Sequence, residues 1–555
     1  MVRVSVALLA LGLSAGSARA DGIVASWVQL GPGSSDAALE ERSYGDAPLS
    51  RTPTVLLRTI ISGGACPVAM LDDATELKLS PRFDGKQLTS TPGTPGATNT
   101  KLQQDGTAYP QYFIDPGGAE GTTLPDGQPR AATAWTECEG VVPAGHAKAS
   151  VGGTVLRLPV ANPKRILVLG DTGCRMSGNL SPDGNNQQNC HDPAAFPLKY
   201  LAAFEATMRP DLIVHVGDYF YRDTDCLTQG RETFSGCNTP TSPDYETWGD
   251  TFDSWNADFM LPARSLLAAA PWVMVRGNHE SCGRGARGWY ALLDPHPFNY
   301  ANVTCPANAG SAKVPDGADT PIYSADFEPT YTIAVGELTF IVLDSSYARD
   351  QSIDANMARN YDIDLSAAVR FLGPDATAIF TTHKPSFGLG ASSISNFGNS
   401  TEQSMVSGNS GYVNTVFRDG VPASIGLFLS GHIHQFEYMS FTNSVRYAPQ
   451  LIVGNGGSLL DDDIGSGKVP TGAADLAAFR AEHYRFTVNQ TQGTAKTVEL
   501  TRAYAHDEFG FAVLDVVHSD DGGFGFDTNV FRIDATQAGF CRVGLRPARG
   551  IECSF

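Results

Sequence analysis

Basic side chains are scarce in this chain: 39 lysines and arginines face 59 aspartates and glutamates, a net charge of -20 at pH 7 over 555 residues. That field repels nucleic acid and anionic lipid over most of the surface, so neither is expected as a partner. Long apolar runs are scarcer still. Beyond the first twenty residues, none approaches the ~20 apolar residues of a membrane-crossing helix, and no membrane span is expected. Cys-x-x-Cys does not occur, which argues against a zinc knuckle or a thioredoxin-like site. No repeat of fixed period is visible. Charged residues make up only 18% against 42% apolar ones, too few for a disordered chain. The 58 glycines and 34 prolines describe instead a folded, loop-rich protein, long enough for two or more domains.

At the start of the chain, Arg3 precedes the apolar run Val4 to Leu13, and Ala18-Arg19-Ala20 forms a small-x-small cleavage site. Residues 1–20 are therefore expected to be a signal peptide, removed before Asp21, and the protein to be exported, either secreted or periplasmic. Ten cysteines follow, and an even number in an exported chain reads as disulfides. Pairing of neighbours is the working expectation, because it keeps each loop within one stretch of chain: 66–138, 174–190, 226–237, 282–305 and 541–553.

Residues 21–160 read as a small all-β domain, with β-branched runs at 54–61 (TVLLRTII) and 149–160 (ASVGGTVLRLPV) around a Pro-, Gly- and Thr-rich stretch from Thr89 to Arg130. From Arg165 the texture changes. Short apolar strands (165–171, 212–218, 272–279, 338–346, 376–383 and 425–434) mostly end in polar clusters, and helix-like segments at 197–208 and 263–270 lie between some of them. Such alternation predicts an α/β domain over 161–520, its sheet covered on both faces, with ligands bound beyond the strands' carboxyl ends. Residues 521–555 are read as a C-terminal strand and a tail pinned by Cys541 and Cys553.

Those strand ends carry Asp171-Thr172-Gly173, Asp218-Tyr219-Phe220-Tyr221, Asn278-His279-Glu280, His383, and His432-Ile433-His434. With His279 and Glu280 set aside, the blocks supply two carboxylates, a phenol, a carboxamide and three imidazoles; a catalytic metal needs about three protein ligands plus an open position, so these seven donors suggest two metals sharing a carboxylate. Two metals ~3.5–4 Å apart can hold a hydroxide and clamp an in-line phosphoryl displacement. His432 and His434, two residues apart, project the same way from an extended backbone.

These five blocks resemble the binuclear metallophosphoesterases (the calcineurin-like superfamily) and, within it, the purple acid phosphatases. Asp-x-His, usual in the superfamily, is missing at Asp171; the purple acid phosphatase pattern takes a tyrosine three residues after the bridging aspartate instead, where Tyr221 stands. The resemblance spans Asp171 to His434. It implies a β-sandwich-type metallophosphoesterase core with flanking helices (αββα), preceded here by the small all-β domain. It also implies that Asp171, Tyr221 and His434 bind Fe(III), that Asp218 bridges, and that Asn278, His383 and His432 hold a divalent Zn, Mn or Fe ion. A tyrosinate is a hard oxygen donor and suits Fe(III). His279 becomes the catalytic helper that contacts the phosphate or protonates the leaving oxygen.

Where the chain departs from the pattern, roles do not transfer. Lys384-Pro385-Ser386 replaces the histidines that follow the His383 block in plant and mammalian members, and Arg175, Arg284 and Arg287 are the candidates for gripping phosphate. Tyr219 competes with Tyr221, and only spacing selects between them. His215 is left between support of the site and plain core packing. Cys174 is expected in a disulfide rather than on a metal, Asp461-Asp462-Asp463 reads as a solvated loop, Gly465 to Lys468 lacks the pattern of a phosphate-cradling loop, and Asn179, Asn302, Asn399 and Asn489 sit in chance-frequency glycosylation sequons. The expected function is hydrolysis of small phosphate monoesters by metal-bound hydroxide. Phosphodiester hydrolysis at the same site (a cyclic nucleotide or phospholipid head group), or a non-catalytic binding protein with structural metals, stands as the alternative.

Overall fold

A computed structural model describes residues 22–33, 49–62, 65–82, 135–176, 188–223, 249–282, 284–298, 321–348, 355–373, 376–388, 421–444, 447–461, 478–482, 485–488, 496–520 and 522–555. The leader at 1–20, Cys226, Cys237 and Cys305, Asp462 and Asp463, residues 465–468 and the four sequon asparagines lie outside the described residues.

The apolar runs form strands whose alternate residues face two different cores, which is why they read as continuous rather than alternating. In Arg165–Leu169, Ile166 and Val168 enter one core while Leu167 and Leu169 enter another. Leu212–His215 and Trp272–Met274 divide in the same way, and so does Thr377–Thr382 in the second sheet, with Ile379 inward and Ala378 and Phe380 outward. The shared core lies between two sheets packed face to face.

One sheet has eleven strands, in the order Gly550–Ser554, Gln537–Arg546, Phe524–Arg532, Gly510–His518, Arg165–Leu169, Leu212–His215, Trp272–Met274, Ile23–Gly31, Thr54–Ile61, Thr136–Val141 and Ser80–Pro81. The other has nine, with Leu338–Leu343, Thr377–Thr382, Ile425–Ser430 and Gln450–Val453 parallel at its centre. Helices cover the outer faces. Leu198–Thr207 buries Leu198, Leu201, Ala202 and Glu205, one stripe at helical spacing, against the first sheet. Ala355–Leu372 lays Met357, Tyr361, Leu365, Ala368 and Leu372 on the second. Mixed sheets with few helices, layered helix–sheet–sheet–helix, are the metallophosphoesterase architecture expected.

The described part of residues 21–160 is all β, but most of its strands do not stand apart. Ile23–Gly31 pairs in parallel with Trp272–Met274 and antiparallel with Thr54–Ile61, so these N-terminal strands extend the sheet of the downstream ones. Only Glu76–Lys78, Val68–Leu71, Lys148–Val151 and Thr154–Arg157 form a separate four-stranded sheet. At the other end, Cys541 and Cys553 pair across adjacent strands and are disulfide-bonded, as are Cys66–Cys138 and Cys174–Cys190. All three are neighbour pairs. Cys282 is also disulfide-bonded. Among the described residues no helix is long and apolar enough to cross a membrane.

Candidate metal centre

Both sheets deliver donors to one place. Parallel strands share a carboxyl end, and the turns leaving Arg165–Leu169, Leu212–His215 and Trp272–Met274 carry Asp171, Asp218 and Asn278. From the second sheet, the turns after Thr377–Thr382 and Ile425–Ser430 carry His383 and His432 to His434. Three of these residues pay a conformational cost to be there: Asp171, Asp218 and His432 have φ of 55°, 58° and 74°, left-handed values that non-glycine residues seldom adopt. Strain of this kind persists only where the surroundings over-determine it, and it concentrates at functional sites. Gly217, at φ 104°, precedes Asp218 because any Cβ there would strike the His383 ring.

The donors fall into two groups that share Asp218: Asp171, Asp218 and His434, and Asp218, His383 and His432, each set with ligand atoms within 4.8 Å of one another. The Tyr221 hydroxyl lies 2.9 Å from Asp171 Oδ1, 2.8 Å from Asp218 Oδ2 and 2.7 Å from His434 Nε2. Asn278 Oδ1 is 3.0 Å from His383 Nε2. Tyr219, its rival by spacing, turns away: it stacks on His215 at 3.8 Å, and its hydroxyl is 3.4 Å from the His215 carbonyl.

This donor set fits metal ions. His383 Nδ1 lies 2.8 Å from the Val216 carbonyl and His434 Nδ1 2.5 Å from the Leu459 carbonyl. A carbonyl only accepts, so both Nδ1 atoms carry the proton, and both Nε2 atoms face the donor groups. Burial pushes the Tyr221 phenol well above its usual range, and the neighbouring Asp171 and Asp218 push it further. A phenol among carboxylates in a dry pocket loses its proton only when a cation compensates. For Asp218, burial acts upward, but the His383 and His279 imidazoles outweigh it and hold the carboxyl well below the usual range. Asp171, Asp218, Tyr221, His383 and His434 are buried, whereas Asn278 and His432 are half-buried, so the second group forms the open side.

His279 packs its ring on Tyr221 with centroids 3.8 Å apart, and its backbone N–H donates to Asp218 Oδ1 at 2.8 Å. Burial and then Arg284 press its imidazole down to about 4, although Asp218 and Asp223 oppose them. Asp223 lies 3.5 Å from His279 Nδ1 and 3.9 Å from Arg284. Arg175 acts electrostatically on Tyr221, His434 and Asp223. Arg287, in contrast, has Asp250 as its charge partner.

Several supports escaped sequence reasoning. Glu280 accepts four backbone N–H groups, from Gly277, Asp218, Tyr219 and Phe220, at 2.9–3.1 Å and so ties two donor turns together. Asp258 accepts from the backbone N–H of Tyr221 at 2.8 Å and of Cys174 at 3.3 Å, joining the first turn to the second. Glu280 stood beside His279 in a recognised block, but Asp258 had no local signal. His215 pairs with Thr172 Oγ1 at 2.9 Å, next to Asp171, and so supports the site from within the strand.

A mixed two-sheet fold thus gathers acidic, imidazole and phenol donors at its strand ends. Residues 164–436 match the family model described as calcineurin-like phosphoesterase, so the chain carries a domain of that kind. None of the curated proteins compared with the chain matches it. Among solved structures it is similar to the purple acid phosphatase PPD1 from yellow lupin (Lupinus luteus) seeds at 12% identity, covering 93% of this chain and 73% of that one with a TM-score of 0.44. It is also similar to PhoD (12% identity, 95% and 91% coverage, TM-score 0.43) and to a dimetal phosphatase from Danio rerio (12%, 71% and 99%, TM-score 0.33).

Proposed function

We propose that this protein is an exported phosphatase that hydrolyses small phosphate monoesters at a binuclear centre of Fe(III) and a divalent ion. Asp171, Tyr221 and His434 would hold Fe(III), Asn278, His383 and His432 a divalent Zn, Mn or Fe ion, and Asp218 both. The observation that carries this reading is the Tyr221 hydroxyl, within 2.9 Å of Asp171, Asp218 and His434 in a buried pocket. When bound, two such ions supply a nucleophile from water near neutral pH and offset the charge on the phosphoryl oxygens.

The chain's own residues do the rest. Asn278 and His432 leave the divalent side open, so the ester enters there. His279, held against Tyr221 and anchored through its backbone to Asp218, presents its imidazole to the phosphate or the leaving oxygen. Arg175 and Arg284 flank the centre on the Tyr221 and His279 sides. A monoester carries close to two negative charges above its second pKa of about 6, one more than a diester, and two guanidiniums beside the metals favour that extra charge. Arg287, with Asp250 as its charged neighbour, remains the third candidate for the phosphate. Export is supported by the apolar leader and by the disulfides Cys66–Cys138, Cys174–Cys190 and Cys541–Cys553.

Turnover of a chromogenic phosphomonoester against the matching diester, with metal analysis of the same preparation, tests the assignment. A monoester preference with iron and a divalent ion is expected. Diester preference would move the activity to the alternative class. Phenolate bound to Fe(III) absorbs visible light, so the oxidised protein should be violet or pink, Tyr221→Phe colourless and Tyr219→Phe still coloured. A colourless wild-type protein, fully active with zinc alone, would keep the phosphoesterase and overturn the iron–tyrosinate centre.

A further inference from the structure

Away from the candidate centre, three residues of metal-ligand type meet in the interior. Asp294 and His296 follow the turn that ends Trp289–Leu293, and Glu328 precedes the strand Tyr331–Val335. Their ligand atoms lie within 4.8 Å of one another, and exposures of 0%, 1% and 3% place the group out of reach of bulk water. Asp294 Oδ1 takes both the backbone N–H and Nδ1 of His296 at 2.8 Å, which fixes the ring. Asp294 Oδ2, equally buried, has no hydrogen-bond partner. Glu328 accepts the Trp289 indole N–H at 2.5 Å and feels Asp294 as its strongest charged neighbour.

The charges around this group do not balance. Glu328 stands among Asp294 and Asp344, and the Arg276 guanidinium lies 3.0 Å from Asp344 and 3.9 Å from Glu328. Arg58 and Arg82 come close, and Arg82 also feels the Asp294 carboxylate, but their guanidiniums bond Glu139 and backbone carbonyls that include that of Asp294. Two neighbouring buried carboxylates stay ionised only when a cation lies between them, and otherwise one takes up a proton.

We infer that Asp294, His296 and Glu328 form a further cation site, separate from the binuclear centre, which holds a divalent transition metal. Two carboxylates and one imidazole suit Zn, Mn or Fe(II) better than calcium, which takes six to eight oxygens. The ion joins the turn after Leu293 to the start of Tyr331–Val335. These belong to different layers, because Leu293 packs under the first sheet and Tyr331 between the two.

Metal content of the full chain, measured by inductively coupled plasma mass spectrometry after equilibration with Mn(II) or Zn(II) and removal of loose metal, tests the inference. Wild-type protein should hold one ion more than Glu328→Gln, which keeps an oxygen for Trp289, and the variant should still hydrolyse a chromogenic monoester. Asp218→Asn, by contrast, should retain the Glu328-dependent ion while losing the others. Equal content in wild type and Glu328→Gln would overturn the site and leave a shared proton as the balance of the pair. If Glu328→Gln does not fold, Asp294→Asn, which keeps an acceptor for the His296 N–H, is compared in the same way. Loss on Glu328→Gln but not on Asp218→Asn would preserve this site and sink the binuclear reading instead.

Discussion

Asp218 is the residue on which the centre turns, because both donor groups include it and His279 is anchored to it. Asp218→Asn keeps the shape but removes a charge and one strong donor oxygen; activity should fall nearly to background together with metal content. His279→Ala should separate the two effects, with metal retained and kcat lowered by about 10²–10⁴, the range for a lost acid–base group. Metal loss on that substitution would make His279 a ligand. Away from the centre, Glu205 is wholly buried with neither carboxylate oxygen partnered, and burial raises its pKa to about 8. In the unfolded chain it ionises near 4.5. Between those values the unfolded state releases a proton that the folded state keeps, so stability falls as pH rises, by about 1.4 kcal/mol per pH unit. Melting temperatures of Glu205→Gln and wild type should therefore diverge from pH 4.5 to pH 8, with the variant the more stable at the upper end. A constant difference across that range would show that Glu205 does not titrate there.

Among elements, the turn from Asp171 to Met176 is heavily braced. Cys174 is tied to Cys190, the Arg175 N–H donates to Gln188 Oε1 at 2.7 Å, and Gln188 in turn donates to the carbonyls of Ala195 and Gly457 at 2.6 Å. The bracing holds Arg175 beside the centre while Asp171 stays locked by its own backbone bonds to Gly217 and Ser458. Replacing both cysteines by serine should cost about 3 kcal/mol, the scale for a loop of this length. KM for a monoester should rise several-fold with kcat nearly unchanged, since the arginine loosens and the metal donors do not. A fall in kcat with KM unchanged would place the disulfide in support of Asp171 instead. The helix Ala355–Leu372 was not anticipated: its buried residues repeat at helical spacing, but no strand-end motif flanks it to draw notice.

For the whole molecule, the N-terminal strands are structural partners of the catalytic ones. Ile23–Gly31 covers the edge of Trp272–Met274, and Arg58 and Arg82 satisfy the buried carbonyls of Tyr290, Leu292, Asp294 and His296. A chain beginning at residue 161 would expose that edge and orphan those carbonyls. It should be insoluble or lack a cooperative melting transition, as sedimentation and circular dichroism would record. A soluble, active truncation would mean that the downstream sheet closes without them.

Read as a string, the chain already displayed its strand runs, five blocks of donors in order, and neighbouring cysteine pairs, because these depend on local chemistry: apolar continuity, a polar cluster after each strand, short loops to close. Spacing already preferred Tyr221 to Tyr219, but which hydroxyl meets Asp171 and His434 is decided by how the turn folds. The same holds for Asp258, which reaches the turns of Cys174 and Tyr221 from 84 and 37 residues away. It holds too for the eleven-stranded sheet, where Gln29 lies opposite Trp272. A strand's hydrogen-bonding edge carries no mark of the partner it will take, and long-range pairing is settled by the packing of both sheets on their common core.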